Sequence, residues 1–141
     1  MYPQGNDILV VVNETERREL IARLLSGEGF AVTAAGDGLT ALRACADRRF
    51  GLIVAATDLP GSLDGPAIVR QARRRQPGLR VLHTGEPASR PILAYADSDD
   101  FIAAPFDRAE LIGCVFELLH RSEGSEVADL GRRIRAEARA S

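Results

Sequence analysis

Short apolar runs alternate with helix-like segments along the first 120 residues, and this alternation constrains the fold more than any other feature. The runs are Ile8–Val12, Phe30–Ala35, Leu52–Ala56, Arg80–Thr84 and Asp100–Ala103. Most are continuous and rich in valine, isoleucine and leucine, as is typical of parallel strands covered on both faces. Strict alternation predicts an α/β fold with a doubly wound, five-stranded parallel sheet. Right-handed crossovers then place helices on both faces of that sheet.

The segments between the runs carry the start and stop signals of helices. The predicted helices begin near Arg17, Leu39, Asp64, Ser89 and Asp107. The first closes at Gly27 and Gly29, which suit a helix C-terminus, and the third stops before Pro77. The fifth starts with a variant capping box, in which Asp107 is followed three residues later by Glu110.

The chain length suits one domain with a short extension. We assign residues 1–121 to the domain and 122–141 to a C-terminal extension, which we predict to be a weak helix. The 141 residues carry a net charge of −2, which favours neither nucleic acid nor an anionic membrane as a partner. The apolar run near the start is too short for a signal peptide or a membrane span, so we expect a cytoplasmic protein.

The cysteines and histidines do not form a recognisable metal motif. Cys45 and Cys114 lie in predicted helices, far apart and outside any CxxC pair, and we predict that both are small buried apolar residues. His83 and His120 are the histidines of the chain, and no His/Cys spacing matches a transition-metal site. We therefore predict no metal and no cofactor.

Ligands of doubly wound sheets bind outside the carboxyl ends of the strands. At those ends the sequence resembles the receiver domains of two-component signalling, over about residues 6–121. The matching pieces, in order, are Ile8-Leu9-Val10-Val11, Leu59-Pro60-Gly61 with Asp64-Gly65, Leu82-His83-Thr84-Gly85, and Phe101-Ile102-Ala103-Ala104-Pro105-Phe106. The resemblance implies the flavodoxin-like receiver fold and a cis peptide bond before Pro105.

The resemblance also implies where phosphorylation chemistry would lie. The family uses an acidic pair after the first strand, an acceptor aspartate after the third, a Ser or Thr after the fourth, and a lysine before the proline. These positions fall on Val12 and Asn13, Ala56, Thr84, and Ala104. Phosphoryl transfer needs a carboxylate nucleophile, a cation held by oxygens and a neutralising positive charge. We therefore predict a pseudo-receiver that is not an enzyme and acts by protein–protein interaction.

Two alternatives remain open from the sequence. Asp58, two residues after Ala56, is a substitute acceptor if a bulge turns it inward, with Asn13 or Glu14 helping to hold a divalent cation. The loop from Gly61 to Asp64 is one residue longer than the commonest family form, which leaves its local geometry open. The other alternative is a small-ligand sensor, whose crevice Val12, Ala56 and Ala104 would make less polar.

The resemblance further suggests a switch and a partner face. Thr84, Phe101 and Pro105 are the candidate switch residues. Without phosphate nothing obvious pulls on Thr84, so we favour a locally bonded hydroxyl at Thr84 and a core phenylalanine at Phe101. The partner face implied by the family includes Tyr95, Phe101 and Arg108. The partners we expect are signalling proteins such as a histidine kinase or a regulator, and a homodimer stays open.

A basic cluster marks the third predicted helix and the strand after it. Its members are Arg70, Arg73, Arg74, Arg75 and Arg80. A solvated helix face is one interpretation, and a patch for an acidic protein partner is the other. No aromatic residues are interleaved with these arginines, which argues against nucleic acid.

Overall fold

The structure, a computed structural model, describes residues 7–61, 63–86 and 99–120. Its strands are β1 (Asp7–Val11), β2 (Ala31–Ala35), β3 (Leu52–Ala56), β4 (Arg80–Gly85) and β5 (Asp99–Ala103). They form one parallel sheet in the order β2-β1-β3-β4-β5. Every predicted run lies within one residue of an observed strand, which confirms the doubly wound, flavodoxin-like α/β prediction.

The described helices are α1 (Thr15–Gly27), α2 (Gly38–Asp47), α3 (Gly65–Arg75) and α4 (Arg108–His120). Helices α1 and α4 contact each other, as do α2 and α3, so the two pairs cover opposite faces of the sheet. Helix α4 is the fifth predicted helix. The predicted helix from Ser89 and the extension 122–141 lie outside the described residues. In the part that is described, no helix is long and apolar enough to cross a membrane.

Aspartate side chains cap the N-termini of three of the four described helices. Asp37, Asp64 and Asp107 accept hydrogen bonds from the backbone amides of Thr40 (2.8 Å), Ala67 (3.0 Å) and Glu110 (2.8 Å). Each bond satisfies one of the amides that a helix start leaves without an intrahelical partner. The predicted cap at Asp107 is therefore confirmed, and the bond from Thr40 holds the pKa of Asp37 below its ordinary value.

The core lies on both sides of the central strands. All five residues of β3 are buried, and so are Ile8–Val12 along and just after β1. In β2 only Ala35 is buried, which differs from the prediction of coverage on both faces because β2 is an outer strand of the sheet. Cys114 is buried as predicted, whereas Cys45 is only partly buried.

Glycines allow the connection from β3 to α3 to lie close to its neighbours. A Cβ atom at Gly65 would lie 2.3 Å from the carbonyl oxygen of Ala56, and one at Gly38 would lie 2.5 Å from the Cβ of Leu63. Both distances are far below van der Waals contact, so these helix starts fit only without a side chain. Helix α3 therefore begins directly against the carboxyl end of β3.

Candidate functional site

The predicted site residues meet at the carboxyl end of the sheet. Val11 is paired with Ala55 across β1 and β3, Ala56 with Thr84 across β3 and β4, and Gly85 with Ala103 across β4 and β5. Neighbouring strands lie about 4.8 Å apart. The structure therefore places Val12, Ala56, Thr84 and Ala104 side by side along one end of the sheet, as the sequence predicted.

This end of the sheet is apolar and closed. Val12 and Ala56 are each 1% exposed and Thr84 is fully buried, while Ala104 is partly buried. Backbone hydrogen bonds continue past the strands, from Thr57 N to Thr84 O (2.9 Å) and from Ala104 N to Gly85 O (2.7 Å). Among the residues that the structure describes, the Thr84 hydroxyl has no hydrogen-bond partner, so the locally bonded hydroxyl considered from the sequence is not observed.

A positive charge lies at the end of β1. The guanidinium of Arg18 donates hydrogen bonds to the carbonyl oxygens of Val12 (2.8 Å) and Asn13 (3.0 Å). The side-chain amide of Asn13 donates to the carbonyl oxygen of Gly36 at 3.1 Å. Arg18 was not predicted as part of the site, because in the sequence it is one of several arginines in the first predicted helix. Only the fold brings its side chain back onto the preceding loop.

The residues of this end do not fit a divalent cation. Such a cation needs several oxygen ligands, yet Val12 and Ala56 offer no side-chain oxygen. The Arg18 guanidinium already binds the loop carbonyls and adds a like charge. Glu14 is exposed and lies 3.9 Å from Arg17. Across the described ranges, no group of three His, Cys, Asp or Glu residues lies close enough together to hold a metal ion.

Asp58 lies outside this closed end. The β3–β4 pairing runs without a bulge through Ala56 and Thr84, and the bond from Thr57 extends it. Asp58 then falls in a turn with its side chain exposed. The bulge that would turn Asp58 inward is not observed.

The residues predicted for the switch and for the partner face lie in different environments, some buried and some exposed. The Ala104–Pro105 peptide is cis, as the resemblance implied. Phe101 is 1% exposed, so its ring belongs to the core and not to a partner face, because its side chain points inward from β5. Arg108 is exposed, but its guanidinium pairs with Glu28 just after α1, on the α1 side of the molecule. Tyr95 lies outside the described residues.

A groove borders the closed end between α1 and the β5–α4 connection. It has a volume of about 430 Å³ and is lined by Leu20, Pro105 and Phe106, with Glu14 and Glu16 also along it. Leu20 is 45% exposed, whereas Ile21 and Leu25 of the same helix are buried. No sequence pattern indicated this groove, since its walls come from segments far apart in the chain.

Comparison with known proteins identifies the class. Residues 8–116 match the family model described as the response regulator receiver domain. The chain therefore belongs to the response regulator receiver family of two-component signalling.

Particular relatives share much of the chain. The probable transcriptional regulatory protein TcrX of Mycobacterium tuberculosis is 32% identical over 130 residues, which are 90% of this chain and 55% of TcrX. The transcriptional regulatory protein ResD of Bacillus subtilis is 32% identical over 117 residues, 82% of this chain and 48% of ResD. The chain thus spans about half the length of the curated relatives it matches.

Solved structures agree with the family. The receiver domain of NtrX from Brucella abortus has 33% identity and a TM-score of 0.70, covering 81% of this chain and 98% of that one. A CheY-like receiver domain protein from Methanospirillum hungatei has 20% identity and a TM-score of 0.71, covering 85% and 98%. At that identity the second likeness shows the fold alone.

Proposed function

We propose that this receiver acts in signal transduction by protein–protein interaction that does not depend on phosphorylation. It would then be a pseudo-receiver with no catalytic step. The observation that carries the proposal is the chemical nature of the residues at the carboxyl end of the sheet. Val12, Ala56 and Ala104 stand where the family's chemistry needs a cation ligand, a nucleophile and a positive charge.

Each of the three residues removes a different part of aspartyl phosphorylation. A methyl group at Ala56 cannot attack phosphorus, and Val12 cannot ligate a cation that would balance the incoming charge. Ala104 supplies no positive charge to the phosphoryl oxygens. The 18 Lys and Arg residues of this sequence are all arginines, and the nearby Arg18 guanidinium is already hydrogen-bonded to the carbonyl oxygens of Val12 and Asn13.

The partner would be another signalling protein, such as a histidine kinase or a regulator. TcrX and ResD are named as transcriptional regulatory proteins, which makes a transcription-control pathway the natural setting. The groove between α1 and the β5–α4 connection supports binding, since it exposes Leu20 beside Phe106. A homodimer is the alternative assembly.

The proposal is tested by phosphorylation in vitro. We expect the mass of the chain, measured by intact mass spectrometry, to show no added phosphoryl group after incubation with acetyl phosphate and Mg²⁺. The matched control is the variant Val12→Asp/Asn13→Asp/Ala56→Asp/Ala104→Lys, which should gain the phosphoryl mass in the presence of Mg²⁺. Stoichiometric modification of the unmodified chain would contradict the proposal, and its loss in Asp58→Asn would assign the acceptor.

A second measurement addresses the cation. Thermal melting with Mg²⁺ and with a chelator should give the same melting temperature for the unmodified chain, because a ligand stabilises only a state that binds it. A clear Mg²⁺-dependent rise would show that a cation site persists, which is incompatible with the proposed loss of the chemistry.

A further inference from the structure

At the amino end of the sheet, opposite the altered pocket, arginine side chains border a small cavity. The cavity holds about 80 Å³ and lies where α2 and α3 end, beside the segments that lead into β3 and β4. Cys45, Ala72 and Leu79 provide apolar walls, and Arg49 and Arg75 border it. Burial raises the pKa of the Cys45 thiol, although the charge of Arg75 acts in the opposite direction. That wall is therefore uncharged at neutral pH.

The arginines around this cavity are available for binding. Arg49, Arg74 and Arg75 are exposed, and none of them makes a hydrogen bond or ion pair in the part of the chain that the structure describes. We call these three residues the arginine rim. A guanidinium presents a planar fork of donors that matches a carboxylate in a two-bond geometry. Like charges gathered without acidic partners also repel one another, so an acidic ligand lowers their energy.

The cavity is held in shape by the surrounding backbone. The Gln76 side chain donates to the carbonyl oxygen of Phe50 at 2.6 Å and accepts from the Phe50 amide at 3.4 Å. Arg73 donates twice to the carbonyl oxygen of Leu79, at 3.1 and 2.8 Å. These bonds join the end of α3 to the starts of two strands. A ligand would therefore meet a formed surface and lose little free energy in ordering it.

We propose that the arginine rim binds an acidic segment of a partner protein. A small aliphatic side chain of that segment sits in the cavity, and carboxylates on either side of it pair with Arg49 and Arg75. Nucleic acid fits less well. The nearby Phe50 ring is only 2% exposed and cannot stack on a base, the cavity walls are apolar, and the chain as a whole carries a charge of −2.

This inference goes beyond the proposed function and does not depend on it. Residues that precede β3 and β4 lie at one end of these parallel strands, and Ala56 and Thr84 lie at the other. Strands of this length separate the two ends by roughly 15 Å. Phosphorylation of the chain would overturn the proposed function and leave the arginine rim untouched.

The test measures binding of a fluorescent peptide, Glu-Asp-Glu-Val-Glu-Asp-Glu, to the full chain at low salt. We expect saturable binding that weakens as salt is added. The double variant Arg49→Gln/Arg75→Gln should bind at least tenfold more weakly. The matched control Arg23→Gln/Arg43→Gln removes the same charge from exposed positions that do not line the cavity, and should change the affinity less than twofold.

The cavity is tested separately from the charge. Replacing the central valine of the peptide by glycine should weaken binding severalfold, and Cys45→Leu, which fills the cavity, should abolish that preference. Thermal melting checks that each variant folds, and the rim variant should melt no lower than the unmodified chain.

Three outcomes would overturn the proposal. The first is an absence of saturable binding to the peptide. The second is an equal loss of affinity in the rim and control variants. The third is tighter binding of a short DNA duplex than of the peptide with the same dependence on Arg49 and Arg75, which would assign the surface to nucleic acid.

Discussion

The two ends of the parallel sheet have opposite characters. At the carboxyl end, Val12, Ala56 and Thr84 are buried, and the Arg18 guanidinium binds the loop carbonyls. At the amino end, the guanidinium groups of Arg49 and Arg75 border a small cavity and make no hydrogen bond or ion pair with the residues that the structure describes. In most folds of this kind the ligand binds at the carboxyl ends of the strands. Here exposed arginines also border a cavity at the other end, and we propose a second binding surface there, since a fold alone does not locate a function.

The two ends of the sheet also differ in how their segments are packed. The carboxyl end is closed by backbone lying on backbone, since Gly65 brings α3 directly against the carbonyl of Ala56. The amino end is joined by side chains, through Gln76 and Arg73. Backbone contacts cannot rearrange as side chains can. We therefore expect changes at the carboxyl end to cost more stability than changes at the amino end.

The largest effect is expected for Gly65→Ala. The added methyl group would lie 2.3 Å from the Ala56 carbonyl oxygen, and neither backbone can move without disturbing the sheet. We expect a loss of about 3 kcal/mol in the free energy of unfolding, at the upper range for overpacking. Gly78→Ala is the control, because no atom lies within 4 Å of a Cβ there, and it should stay within about 0.5 kcal/mol. If denaturant titrations gave equal losses of stability for Gly65→Ala and Gly78→Ala, the close approach of α3 to the end of β3 would be refuted.

A smaller loss of stability is expected when a charge is introduced at the closed carboxyl end. Ala56→Asp places a carboxylate at a position that is 1% exposed. The loss should be about 2 kcal/mol. Mg²⁺ should not recover it, because Val12 still supplies no ligand. The control Ala46→Asp makes the same change at an exposed position of α2 and should cost about 0.5 kcal/mol. Recovery by Mg²⁺ in melting experiments would mean that neighbouring oxygens suffice for a cation site.

At the amino end, Gln76→Ala tests the side-chain hydrogen bonds that join the end of α3 to the segment before β3. The variant removes both hydrogen bonds to the Phe50 backbone, and we expect a loss of about 1 kcal/mol. Gln71→Ala, at an exposed position of the same helix, should change stability little. If Gln76→Ala costs as much as Gly65→Ala, the two ends do not differ in the way their packing suggests.

The smallest effect concerns Asp37, which begins α2 at the carboxyl end. The Thr40 amide bonds to the charged carboxylate and lowers its pKa, so the folded state favours the ionised form. The stabilisation is complete above the unfolded value of about 3.9 and is lost as the pH falls through the lower folded value. Below about pH 3.9, the melting temperature of the unmodified chain should therefore decrease relative to that of the Asp37→Asn variant. A difference that is constant with pH would contradict this linkage.

The fold was accessible from sequence because its signals are local. The apolar runs that became β1 and β3, the glycines after α1 and the aspartate that begins α4 each act over a few neighbouring residues. The family resemblance then singled out Val12, Ala56, Thr84 and Ala104, and the strand register lays these positions along one end of the sheet. The family resemblance, and not periodicity, supplied the cis bond before Pro105.

Side-chain placement was less accessible. The partner face that the resemblance implied included Phe101, but its side chain is buried, as the alternative of a core phenylalanine predicted, because burial depends on which neighbouring elements cover a side chain. Arg18 and the groove beside Leu20 were missed for a related reason. Both depend on contacts between segments whose separation in space the sequence does not state.

By itself, the sequence determined the alternation of strands and helices, the cap at Asp107 and the presence of Val12, Ala56 and Ala104 where the strands end. These follow from residue identity and short-range hydrogen bonding. Only the tertiary structure decided that Arg18 binds the loop carbonyls at that end and that Arg49 and Arg75 border the same cavity. Arg49 and Arg75 follow different helices, and a right-handed crossover is needed to bring those helices together on one face of the sheet.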